Sequence, residues 1–79
     1  MNDNESFSSS DFALVTALYY LGFPIEALDR QPDGRVNFVF HHTHELDTTV
    51  EGFWKKDLRV EPSSYFSATK EIKSRIYER

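Results

Sequence analysis

The sequence predicts a single small α+β domain, and three observations carry that reading. A strongly apolar, helix-periodic stretch from Phe12 is closed by Gly22-Phe23-Pro24. The run Gln31-Pro32-Asp33-Gly34 separates two extended segments, and Pro62 opens a last periodic stretch that runs to the C-terminus. Helices and paired strands that do not alternate as βαβ units are best satisfied by helices on one face of a small antiparallel sheet.

Each element has a local cause. Ser8-Ser9-Ser10 supplies N-cap candidates for the first helix, with Asp11 in its first turn where the helix dipole favours an acid. Leu14, Leu18 and Leu21 form its stripe, with Val15, Phe12 and Tyr19 beside it. Gly22 suits the left-handed position after a helix, and Pro24 forbids continuation. Residues 25–30 read as a strand. Pro32 presets φ and Gly34 accepts the left-handed position, so the chain turns back at 32–34. The return strand, Arg35 to His41, puts Val36, Phe38 and Phe40 on one face. A second helix starts after Thr43 as N-cap, with Leu46, Val50 and Phe53 as its apolar row and Trp54 alongside, read as core. Gly52 weakens it by about 1 kcal/mol relative to Ala. Leu58-Arg59-Val60 reads as a short third strand, and Pro62 as the first position of the last helix. Residues 1–8 read as a disordered tail and residues 9–79 as the domain.

Size and composition limit what such a chain does. At 79 residues a second domain is excluded, and with no cysteine neither a disulfide nor a thiolate zinc site is available. The aromatic content of 15% is the natural substitute, because each buried ring removes about 150–250 Å² from water. Self-association is another, and is left open. The acidic start Met1-Asn2-Asp3-Asn4-Glu5 is unlike a targeting signal, and the apolar stretch from Phe12 to Phe23 is too short to span a bilayer. The cytoplasm is therefore the expected compartment. Net charge is −4, but unevenly spread: residues 1–54 hold nine acids against two bases, residues 55–79 four acids against seven bases.

The helix start Asp11-Phe12 with Leu14 and Leu18, then Gly22, the Arg35–Phe40 strand, Trp54, Val60, Tyr65-Phe66 and Ile72 to Tyr77 together resemble a family of small bacterial, prophage and plasmid proteins described only as a domain of unknown function. The resemblance runs from Ser9 to Tyr77. It implies the same fold and an accessory or mobile-element origin, and it supplies no activity, cofactor or catalytic residue. Members tend to carry acidic or polar residues after the strand where this chain has histidines.

Two patches are candidates for chemistry. His41, His42 and His44 lie close to Glu45 and Asp47, and imidazoles bind zinc, nickel or copper. Adjacent residues at a strand end point to opposite faces, and the spacing is not that of helical zinc sites, so no metal and no catalytic constellation is expected there. In the last helix, Tyr65, Thr69, Ile72 and Ile76 form the core stripe, while Phe66, Lys70, Lys73 and Tyr77 form a second stripe about 100° away. Such an aromatic and basic line can anchor a protein partner, or stack bases and meet phosphates. It can also be the mere edge of the core, with lysine stems lying over it. The expected function is a non-catalytic accessory module that needs no cofactor and binds another macromolecule, a protein before a single-stranded nucleic acid.

Overall fold

A computed structural model describes residues 5–77. The hairpin forms where the turn chemistry places it. Strands β2 (Ile25–Arg30) and β3 (Val36–His41) run antiparallel around a turn in which Gly34 N–H donates to Gln31 O at 3.0 Å and Gln31 N–H to Arg35 O at 2.8 Å. Gly34 takes φ 94°, the left-handed value that completes this loop type. A bulge between Ile25 and Ala27 explains an irregular spacing. Ile25 opposes Phe40 and Leu28 opposes Phe38, so residues three apart reach the same face.

The other edge of β3 is taken by β1 (Ser6–Ser9), antiparallel, with Phe7 opposite Phe40 and Ser9 opposite Phe38. The sheet order is β1-β3-β2. Two expectations are corrected here. Residues 6–8 are a strand, not part of a disordered tail, whereas residues 1–4 lie outside the described residues. Leu58–Val60 is not a strand either. β3 carries two fully covered phenylalanines, and leaving its second edge bare would strand its backbone donors and acceptors beside the core. The polar sequence Ser6-Phe7-Ser8-Ser9 meets that need and adds Phe7 to the core margin.

Helix α1 (Phe12–Tyr20) is capped by Asp11, whose Oδ1 accepts from Leu14 N–H at 3.1 Å. Asp11 is thus the cap rather than a first-turn residue. The serine run serves β1 and the approach to the helix, where Ser9 Oγ accepts from Asp11 N–H. At the other end Phe23 N–H reaches Leu18 O and Gly22 N–H reaches Tyr19 O, with Gly22 at φ 100°. This double closure satisfies carbonyls the helix leaves open. Leu14, Val15, Thr16, Ala17 and Leu18 are all buried, so the middle of α1 is covered on every side, while Ala13 at its start stays exposed. Leu21, expected in the apolar stripe, is instead the exposed C-cap residue. The Thr16 hydroxyl has no hydrogen-bond partner among the described residues.

Helix α2 (His44–Trp54) is capped by Thr43, whose hydroxyl accepts from Leu46 N–H at 3.0 Å. It closes as α1 does: Asp57 N–H reaches Gly52 O and Lys56 N–H reaches Phe53 O. Here, however, a lysine, Lys56, occupies the left-handed position at φ 64°. Gly52 has its own reason, because a Cβ there would meet Leu58 Cδ2 at 3.2 Å. Leu58 therefore folds back on α2, which is why its segment does not extend into the sheet.

Helix α3 (Pro62–Tyr77) starts with Glu61, whose carboxylate accepts from Ser64 N–H at 2.8 Å, and Pro62 sits first, as its missing N–H allows. Tyr20 and Tyr65 meet edge to face at 6.0 Å, Tyr20 Oη accepts from Glu61 N–H, and Tyr65 Oη donates to Ala13 O. Burial, with the nearby Asp11 charge, pushes the Tyr65 phenol up. At the far end exposed Arg30, opposite Val36, donates to Ile76 O at 2.9 Å and Arg75 O at 3.0 Å. A cation at a helix C-terminus complements both the open carbonyls and the dipole. Leu14, Val15 and Leu18 of α1, Phe38 and Phe40 of β3, Leu46 of α2 and Ile72 of α3 share one core. All three helices thus cover the same face of the sheet. No helix among the described residues is long and apolar enough to cross a membrane.

Two expected outcomes follow from the helix ends. Arg30→Met keeps the aliphatic stem but removes both donors, and should lower unfolding free energy by about 0.5–1 kcal/mol. Amide exchange should quicken in the last turn of α3 alone. Glu61 is held below the usual carboxylate range by the backbone amides of Ser64 and Ser63 and the Ser64 hydroxyl. A carboxylate depressed in the folded state stabilises above its unfolded pKa, and that contribution disappears as pH falls through the folded value. Glu61→Gln should therefore flatten the decline in urea midpoint below pH 4.5. An unchanged acid limb would show that the cap is not formed in solution.

Candidate functional site

The residues singled out in the last helix do come together as a face. α3 turns Ala68 and Ile72 into the core, with Tyr65, Thr69 and Ile76 half-buried beside them. Phe66, Lys70, Lys73 and Tyr77 recur at spacings of four, three and four, which returns each to the same line, about 100° round the helix from the core stripe and on the solvent side. Phe66 is 61% exposed and Tyr77 79%. They are therefore surface rings, not the rim of the core.

Their electrostatic setting is basic. Lys70 Nζ lies 4.9 Å from the centre of the Phe66 ring, a distance at which the ring's negative face attracts the ammonium. Neither Lys70 nor Lys73 forms an ion pair among the described residues. Glu71 is turned to the other side of α3, where it accepts from the Tyr19 hydroxyl. That hydrogen bond, with burial and the Glu71 charge adding to it, raises the Tyr19 phenol, against a lowering from Arg75. Glu71 is engaged with α1 and leaves the lysine line positive.

Trp54 corrects the reading that placed it in the core, for it is 61% exposed. Phe53 fills the core row with Leu46 and Val50 and meets the Trp54 ring edge to face at 4.9 Å. The signal was in the spacing. Leu46, Val50 and Phe53 already complete one helical stripe, and the next residue falls about 100° away from it.

The histidines diverge. His41 ends β3 opposite Ser6, and exposed His44 is the first residue of α2. His42 Nε2 lies 2.9 Å from Asp47 Oδ2 and its Nδ1 3.9 Å from Glu5 Oε1, while His42 N–H donates to Glu5 O at 3.1 Å. This imidazole ties the strand end to α2 and to the chain before β1. Among the described residues no group of three or more histidines, cysteines or acids is gathered to hold a metal.

Comparison with curated proteins and with solved structures finds no match. A family model does match, over residues 4–78, nearly the whole chain: the protein belongs to the family described as Domain of unknown function (DUF5659).

Proposed function

We propose that the protein is a non-catalytic accessory module that binds another macromolecule, a protein, through the Phe66, Lys70, Lys73 and Tyr77 face of α3. The observation that carries this reading is the exposure of two large rings, 61% and 79%, on a chain with little core to spare. Aromatic side chains left mostly exposed in the folded monomer are suited to anchor interfaces. The nine acids against two bases in residues 1–54 favour a protein over nucleic acid, because a phosphate backbone needs a local excess of cations. The same face, with Lys70 over Phe66, supports single-stranded nucleic acid as the second reading. The absence of cysteine fits a cytoplasmic setting, and the family likeness fits an origin on a mobile element.

The test places a photo-crosslinking amino acid at position 66 in the host cell. A discrete protein adduct is expected, lost when Lys70→Glu and Lys73→Glu are added. That double change should move unfolding free energy by under about 0.5 kcal/mol. With the captured partner purified, Tyr77→Ala should cost about 2 kcal/mol of affinity with little salt dependence. If an oligothymidine binds instead, with affinity falling steeply with salt, the nucleic-acid reading replaces this one. No adduct and no oligonucleotide binding would remove both.

A further inference from the structure

A second surface lies at the C-terminal end of α2, apart from the four residues of the α3 face. Ala17, Phe53, Lys56, Leu58, Val60 and Tyr65 line an open cleft of about 270 Å³. Five of the six are apolar or aromatic, and Val60 is an exposed aliphatic at its mouth. The volume falls below the roughly 300–1,000 Å³ of small-ligand pockets, so it suits a protruding side chain rather than a whole small molecule.

The sixth lining residue makes the cleft unusual. Lys56 occupies the left-handed position that ends α2, at φ 64°, where Gly22 performs the same closure for α1 at φ 100°. The chain thus contains its own comparison. A residue with a Cβ is disfavoured in this conformation and glycine is not, so folding alone would favour glycine at 56. A strained residue retained beside a cleft points to a use for its side chain. That side chain is an ammonium, and Lys55 and Arg59 flank it, all three exposed and without an ion pair among the described residues. Residues 55–60 carry three bases and one acid.

From these observations we infer that the cleft is a docking site for an acidic protein segment carrying one apolar anchor. The anchor side chain enters between Phe53, Leu58, Val60 and Tyr65. Carboxylates beside it meet Lys56 and its basic neighbours, which sets orientation and speeds encounter. The site is separate from the α3 face, and neither requires the other.

The experiment is an NMR titration of the full chain with synthetic decamers of Asp and Glu around one central Leu, Phe or Trp. Controls are the same anchors flanked by Lys and Ser, the acidic decamer without an anchor, and an oligothymidine. The anchored acidic peptides should shift the amides of Ala17, Phe53, Leu58, Val60 and Tyr65, and bind more weakly as salt rises. Lys56→Gly should raise the urea midpoint while lowering peptide affinity on the order of fivefold or more. Lys56→Asn, which tolerates the left-handed backbone, should lose the same affinity without relying on glycine. The inference is overturned by any of four results: no shift with the anchored acidic peptides, equal shifts with the basic ones, shifts confined to Phe66 and Tyr77, or full affinity in both Lys56 variants. Shifts of the cleft residues with protein concentration alone, or with oligothymidine alone, would likewise overturn it, in favour of a second copy or a nucleic acid.

Discussion

Everything in this fold depends on the burial of the middle of α1, Leu14 to Leu18. A nine-residue helix is too short to persist alone in water, so its stability comes from what covers it. Leu14 and Leu18 share a core with Phe38 and Phe40 of the sheet, and α1 also packs against both other helices. Removing Leu18 would cost about 2–5 kcal/mol, comparable to the whole stability of an unstapled chain of this size. The ends of α1 are fastened accordingly, by Asp11 at one side and Gly22 at the other. The aromatic network does the rest: Tyr65 donates to Ala13 O, Tyr20 supports Glu61, and Tyr19 engages Glu71. Three tyrosines thus dock α1 to α3 and to the residue that caps it, through hydroxyls that would otherwise gain nothing over water.

The order of the elements was legible wherever the cause was local. Proline, glycine and an N-cap threonine act over three or four residues, and Gly22, Pro32–Gly34, Thr43 and Pro62 each do what their chemistry dictates. Illegible were the features imposed from a distance. β1 forms because β3 needs a partner on its second edge, and nothing in Ser6-Phe7-Ser8-Ser9 announces that need. Leu58 is held by a notch at Gly52, a contact that periodicity does not describe. The candidate face fared better, since Phe66, Lys70, Lys73 and Tyr77 share a line in any α-helix. Periodicity fixed which residues stand together. Whether that line looks outward depended on where α1 lies. Trp54 was misplaced by weighing its size above its angle.

With the core filled from α1 outward, the described residues leave three large rings, Trp54, Phe66 and Tyr77, on the surface, and Lys70 lies over the Phe66 ring. In a chain of 79 residues this is costly for solubility and contributes little to folding. Phe66 and Tyr77, on the basic end of an otherwise acidic chain, are the physical basis of the proposal that the protein is a binding module.

The central claim is that these rings are surface groups the core does not use, and equilibrium urea unfolding tests it most directly. Serine has nearly the helix propensity of Trp, Phe and Tyr, so a variant with Trp54→Ser, Phe66→Ser and Tyr77→Ser isolates packing. If the rings are surface groups, the triple variant keeps its slope and loses under about 1.5 kcal/mol, the loss including the Lys70–Phe66 contact. A loss of several kcal/mol, or a chain that no longer folds, would place the rings in the core and contradict the claim.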